Sequence, residues 1–322
     1  MLKNLLPRRL VFSLIALSIV ATKSYGQSDP QFTQYIFNQF YLNPAMAGMS
    51  TGAEVSGIFR SQWTGYSGSF DQKGAPTTQQ LSFNSPVSFL KGGVGVYISN
   101  DNIGGGTTNR EVALSYSLNK RVGPNTYSAA ISAGIYAKSL DGTLYRPRDE
   151  NDPSIPLTNV TQVQPDLAVG VAVSSPTYSI GAALKHITKP TFNFNTAEGA
   201  TAVNRMLYLS GSLNLGVTYT LDITPMFVIK SDFNTVSPEV GALFTYNSRY
   251  YAGLNYRYQD AAGLLIGGRM LNNKLRIGYA LDYVIFGATA KAPLSHEFML
   301  TYSLPAIKFG KKSIIKTPRY SF

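Results

Sequence analysis

Alternation with a period of two constrains this chain more than any other feature. In Val112-Ala113-Leu114-Ser115-Tyr116-Ser117-Leu118-Asn119 every even position is large and apolar, and every odd one is small or polar. Leu167, Val169, Val171 and Val173 alternate with Ala168, Gly170, Ala172 and Ser174. Leu207, Leu209, Leu213, Leu215 and Val217 repeat the pattern, as do Leu275, Ile277, Tyr279, Leu281 and Tyr283, and Phe298, Leu300, Tyr302 and Leu304 close the series. Successive side chains of a strand point to opposite faces, so each segment has one apolar face and one polar or small face. The predicted strands run ~9–13 residues, longer than the ~5–6 usual in a sandwich and matched to a tilted membrane span. Only 14% of the residues are charged, against ~25% in soluble domains. No candidate span is a continuous apolar run long enough for a transmembrane helix. The fold class expected is therefore all-β, a transmembrane antiparallel β-barrel of the outer-membrane type.

About 14 alternating segments can be counted, an even number as expected for such a barrel. They centre near Ile58, Leu81, Val96, Leu114, Ala133, Val169, Ala182, Leu213, Val228, Leu243, Leu254, Ile266, Tyr279 and Leu300. Connections at residues 61–77, 100–107, 139–163, 188–205 and 285–294 read as long. Ser175-Pro176, Asn247-Ser248 and Asn272-Asn273 read as short turns. That rhythm matches long extracellular loops and short periplasmic turns, with both termini periplasmic. Tyr97, Tyr136, Tyr219, Tyr250, Tyr251 and Tyr302 fall at predicted strand ends, where aromatic girdles sit. One hairpin can be read in register. Asn272-Asn273 suits a type I′ turn, so that Leu271 faces Lys274, Met270 faces Leu275, Ile266 faces Tyr279 and Leu264 faces Leu281 on the lipid side. On the lumen side Gly267 faces Gly278 and Arg269 faces Arg276. Like charges directly opposed are destabilising, so the lumen there must be wet or supply acids. Asp282 and Glu297 share the inward parity, and an inward Arg257 joins this expected charge patch.

The first residues read as a secretory signal, residues 1–26. Lys3, Arg8 and Arg9 precede the short apolar run 10–21, and Ser24 and Gly26 place small residues at the cleavage positions. No Cys follows, which argues against a lipid anchor, and the zero cysteine count excludes disulfides and thiolate metal sites. The net charge of +11 is misleading. Lys3, Arg8, Arg9 and Lys23 carry four of those charges in the leader. Lys308, Lys311, Lys312, Lys316 and Arg319 carry five in a tail, residues 305–322, that has no acid. The body keeps +2, so no basic surface for nucleic acid is expected. The tail is expected in the periplasm, docking on an acidic partner or anionic surface.

Catalytic inventory is thin. His296-Glu297 lacks a second His at zinc-site spacing and reads as a strand-end interfacial residue, and His186 is read the same way. Gly104-Gly105-Gly106 lacks the Lys-Ser/Thr of a phosphate loop and reads as a loop tip. Asp149, Glu150 and Asp152 crowd oxygen ligands without the spacing of a calcium loop, and a solvated loop is expected. No catalytic residue, metal or cofactor is assigned.

The segment at residues 28–48, SDPQFTQYIFNQFYLNPAMAG, opens the expected mature chain. Asp29 can cap a helix with Pro30 at its first position. Phe32, Tyr35, Ile36 and Phe40 follow at helical spacing, and Asn43-Pro44 stops it. This short aromatic helix must bury its face in the barrel lumen or lie loosely at the interface. Residues 27–48 are thus a possible plug ahead of a barrel at residues 49–304.

That segment resembles the N-terminal signature of the PorP/SprF family of type IX secretion. Phe59-Arg60-Ser61-Gln62-Trp63 is similar to the family's early Arg-x-Gln-Trp segment. The runs 92–97, 100–104, 251–257 and 295–300 resemble its later strands in the right order. The resemblance implies an outer-membrane protein of a Gram-negative bacterium that is no enzyme. It implies partnership with type IX secretion components and with secreted surface proteins such as gliding adhesins. Outer-membrane lipid is expected around it, and no nucleic acid or small-molecule substrate. A diffusion channel or transporter for small or hydrophobic solutes is the alternative.

Overall fold

The computed structural model describes residues 29–66, 74–144, 158–194, 200–287 and 291–305. The predicted signal, the acidic cluster Asp149, Glu150 and Asp152, and the basic tail beyond Pro305 lie outside the described residues. Fourteen antiparallel strands close into one barrel. They are β1 (Ala53–Ser61), β2 (Thr77–Val87), β3 (Gly92–Gly104), β4 (Thr107–Val122), β5 (Asn125–Asp141), β6 (Asn159–Ser174) and β7 (Tyr178–Lys185), then β8 (Met206–Leu213), β9 (Leu221–Ser231), β10 (Val236–Tyr246), β11 (Tyr250–Arg257), β12 (Ala261–Met270), β13 (Leu275–Val284) and β14 (Leu294–Leu304). Each pairs with its chain neighbours, and β1 pairs with β14 to close the ring. Strand β8 breaks at Asn214 and resumes as Leu215–Gly216, still on β9. Closure leaves no unpaired edge in lipid. No helix among the described residues is long and apolar enough to cross a membrane.

The faces follow the alternation. Leu114, Val169, Leu213 and Ile277 are exposed on the outer wall, while Ser115, Ala168 and Ala280 are buried inside. The β12–β13 register has Arg269 opposite Arg276, Gly267 opposite Gly278, Ile266 opposite Tyr279 and Met270 opposite Leu275. The ladder stops there. Leu271, Asn272 and Asn273 all take positive φ (50°, 55° and 65°), and Leu271 and Lys274 close the turn just beyond the ladder, the Lys274 amide donating to the Leu271 carbonyl at 3.2 Å.

Two expectations about the strands are corrected. Residues 100–107 are no long loop: β3 reaches Gly104, β4 starts at Thr107, and Gly105-Gly106 turn at φ 59° and 75°. Hydrophobic alternation marks only the part of a ladder that meets lipid. The backbone pairing continues past it through the polar run from Thr107 to Arg110. Second, Tyr97, Tyr136 and Tyr251 are no girdle residues. All three are buried inside, whereas Tyr219, Tyr250 and Tyr302 are exposed. Tyr97 shares the parity of Gly93 and Gly95, opposite to Val94, Val96 and Ile98, and that parity carries it into the lumen.

One end of the barrel has only short connections (residues 88–91, 123–124, 175–177, 214–220, 247–249 and 271–274) and the C-terminal end of β14; the other carries the long connections together with tight turns at residues 105–106, 232–235 and 258–260. Between β7 and β8 a small hairpin pairs Thr191–Phe192 with Thr201–Ala202. Its Phe192, with Val203, packs on Tyr136 at the long-loop end.

Candidate functional site: the occupied lumen

Residues 29–48 run through the barrel from its long-loop half to its short-turn end. The single helix expected from Asp29 does not form. The segment is a 3-10 turn at Tyr35–Phe37, a four-residue helix α1 at Gln39–Leu42 and a 3-10 turn at Pro44–Met46. Asn38, at φ −112° and ψ 35°, interrupts the helix, and Asn43 caps the last turn by accepting from the Ala45 amide at 2.9 Å. A short helix leaves most of its backbone groups unpaired. Here the barrel wall supplies the partners. Ser128 and Ser117 donate to the carbonyls of Ala45 and Ala47 at 2.7 Å, Asn84 accepts from the Gly48 amide, and Asn38 and Gln80 exchange bonds at 2.9 Å.

Apolar contacts follow the same path. Phe32, Tyr35, Phe40, Tyr41 and Leu42 form one buried cluster with Ile58, Tyr97, Tyr208, Met226, Val228 and Met299 of the wall. The wall is hollowed where the segment passes. A Cβ on Gly95 would stand 2.3 Å from the Phe40 ring, and Cβ atoms on Gly170 and Gly181 would strike the Asn43 side chain. Glycine inside a strand marks such a close approach.

Two charge clusters hold the segment. At its start Asp29, expected as a helix cap, instead bonds the wall. Its carboxylate contacts His186 Nε2 at 2.8 Å, accepts from the Tyr208 hydroxyl and lies 3.9 Å from Lys185 Nζ. His186 Nδ1 meets Asp166 at 2.7 Å, and Lys185 pairs with Glu111 at 3.4 Å while lying over the Tyr41 ring. Burial would raise the Asp29 carboxyl, but His186 and Lys185 hold it well below the usual range. Burial would lower His186, and the carboxylates of Asp29 and Asp166 raise it to about 10. His186 is therefore a buried luminal residue and not an interfacial one. Its φ of 54° ends β7 and swings it off the outward parity of Ala182 and Leu184. Glu111, Asp166 and His186 bring ligand atoms within 4.8 Å of one another. The Lys185 ammonium and the two bonded nitrogens of His186 already satisfy these carboxylates.

The second cluster centres on Arg60, which is 2% exposed. Its guanidinium pairs with Asp282 at 2.7 Å and Glu297 at 3.1 Å and donates to Thr33 Oγ1 at 3.0 Å. Thr33 donates to Asp282, and Glu297 accepts the backbone amides of Thr33 and Gln34, each at 2.9 Å. Arg257 pairs with Glu239 and Asp260, both at 3.0 Å, and joins the cluster through Asp282 at 3.8 Å. Thus Arg257, Asp282 and Glu297 do come together. Arg269 and Arg276 do not join them, which corrects the single charge patch expected from the sequence. Arg276 and Asp282 are six residues apart on β13, about 20 Å at strand rise. Parity alone could not separate the two ends of the lumen. Arg60, Glu111, Asp166 and Glu239 were not anticipated from the sequence, although their parity opposite the apolar face of each strand was a signal that could have found them.

Below the segment, a cavity of about 440 Å³ lies at the short-turn end. Phe37, Phe40 and Met46 line its inner end, and Ser, Asn and Thr side chains dominate its wall together with Arg269, Arg276, Glu54 and Asp222.

A closed barrel of this strand number, apolar outside and polar within, is an outer-membrane β-barrel protein. Residues 24–302 match the family described as type IX secretion system membrane protein PorP/SprF, and the chain belongs to that family. Similar solved structures include the Ralstonia pickettii toluene transporter TbuX, at 14% identity, TM-score 0.49, and coverage of 81% of this chain and 92% of that one. Acinetobacter baumannii Omp33 is 8% identical, with TM-score 0.45 and coverage of 80% and 100%. A Pseudomonas aeruginosa FadL homologue is 12% identical, with TM-score 0.43 and coverage of 86% and 95%. Comparison with curated proteins gives no match.

Proposed function

We propose that this protein is a non-enzymatic outer-membrane accessory of type IX secretion whose own lumen is plugged, and that it supports export or surface retention of secreted proteins such as gliding adhesins. The observation that carries the reading is the bonding of residues 29–48 to the wall on nearly every side, with a buried ion-pair cluster at Asp29 and another at Thr33. A diffusion channel needs an open path, and this lumen is crossed by chain. An accessory that works by holding other proteins loses nothing by being closed. The basic tail, Lys308 to Arg319, is proposed to contact an acidic periplasmic partner or anionic surface, with single exposed pairs weak and the group salt-sensitive.

Planar-bilayer recording tests the plug. The intact mature protein conducts little, and a form lacking residues 28–43 opens a large, steady conductance. Equal large conductance in both forms rejects the plug and favours the transporter. Deleting the gene tests the role: a specific surface protein is then left unsecreted or shed while small-solute uptake is unchanged. An uptake defect with normal surface proteins overturns the secretion reading.

A further inference from the structure

The vestibule at the short-turn end contains a feature that the plug does not require. Arg269 and Arg276 sit directly opposite each other on β12 and β13, both facing the cavity. Opposed like charges destabilise a sheet. Every charged residue of the two luminal clusters has a partner, yet among the described residues neither of these guanidiniums has an ion-pair or side-chain hydrogen-bond partner. Arg276 Nε is buried without any bond. The Arg276 guanidinium is held in place by the ring of Phe37, 4.6 Å away, and Phe37 packs on Tyr251 at 4.8 Å. The pair is thus positioned, desolvated on one side and, among the described residues, without an ion-pair contact.

We propose that this vestibule binds a carboxylate presented by an extended polypeptide that enters from the periplasm, with Arg269 and Arg276 as the recognition groups. Guanidinium forks match a carboxylate in bidentate fashion, and one anion between the two relieves their mutual repulsion. The cavity volume lies in the range of ligand pockets. Its Ser, Asn and Thr side chains suit peptide amides, and Met46 and Met49 offer adaptable apolar contact. Glu54 on β1 and Asp222 on β9 line the same cavity. They disfavour a doubly charged phosphate more than a single carboxylate. The luminal segment closes the inner end, so the ligand inserts an end or a side chain and does not pass through. This site stands on the cavity and its arginines and is independent of which secreted protein the barrel serves.

The test uses the full-length mature barrel in detergent and fluorescence anisotropy of a dye-labelled Gly-Ser peptide in three forms: free carboxyl terminus, C-terminal amide, and amide carrying one Glu. Saturable binding of the first and third forms but not the second is expected. Binding of the first alone assigns a chain terminus, and of the third alone an acidic side chain. Arg269→Gln and Arg276→Gln should each weaken binding about tenfold, the loss of one charge-assisted contact of ~1.4 kcal/mol. Both variants should melt no lower than the parent, because each removes a like-charge contact. Equal binding of all three peptides, or binding untouched by either substitution, overturns the site. Inorganic phosphate displacing the peptide as well as acetate does overturns the polypeptide assignment. A fall in melting temperature in both variants shows the pair to be structural and overturns its role as a recognition pair.

Discussion

At the residue scale the lumen is held by buried charges that cannot be removed one at a time. Arg60 compensates Asp282 and Glu297, and both carboxylates also bond the luminal segment. Removing one member of a buried pair leaves an uncompensated charge and costs about 3–5 kcal/mol. Arg60→Met should therefore lower unfolding stability in urea by about that amount. Arg60→Lys should recover little of it, because an ammonium cannot reach both carboxylates and Thr33 as a fork. The Asp29 end is pH-sensitive. A histidine whose pKa is raised on folding stabilises fully below its unfolded value near 6.5, and that contribution is lost as pH rises through about 10. Asp29, with its pKa lowered, keeps its contribution above the ordinary carboxylate range and loses it only in acid. The melting temperature of the parent should thus fall towards that of His186→Gln between pH 7 and 10. A constant gap across this range would show that His186 carries no proton-linked stability.

At the element scale the strands and the luminal segment obey different rules, and only the first were legible in the sequence. Lipid on one side and lumen on the other impose a period of two, so all fourteen predicted strand centres fall within or at the end of a strand. The segment has no uniform solvent to pattern it. Its conformation is set by wall groups hundreds of residues away, such as Glu297 and Asp282 for Thr33. A helical spacing of aromatics therefore marked Phe32, Tyr35 and Phe40, which are buried, but missed Tyr41 and Leu42, placed the half-buried Ile36 with them, and gave the wrong backbone. The faces can be tested by charge. Leu300→Arg, on the outer face at the middle of β14, should cost about 2–4 kcal/mol. Ser212→Arg, lining the vestibule, should cost far less in the same unfolding assay. Gly278 would be a poor control, since a Cβ there stands 2.1 Å from Gln34 Oε1. The fit of segment to wall can be tested by a pair. Gly95→Val should displace Phe40 and raise conductance in bilayers. Adding Phe40→Ala to it should lower that conductance again, and a double variant that leaks more than Gly95→Val would refute the contact.

At the scale of the whole molecule, the chain makes a device with two unlike ends. Long connections and the small hairpin with Phe192 crowd one end. Short turns and an open vestibule, whose two arginines have no ion-pair partner among the described residues, mark the other. Bacterial barrels place short turns in the periplasm, so on the proposed orientation the vestibule faces the periplasm and the long connections face the cell surface. The absence of cysteine makes this orientation directly measurable. Thr177 is exposed in the β6–β7 turn, and Ala200 is exposed in the β7–β8 connection. In intact cells a membrane-impermeant maleimide should label Ala200→Cys and leave Thr177→Cys unlabelled until the outer membrane is permeabilised. Labelling of Thr177→Cys alone in intact cells would invert the barrel. The arginine vestibule would then open to the outside, where no periplasmic polypeptide could reach it.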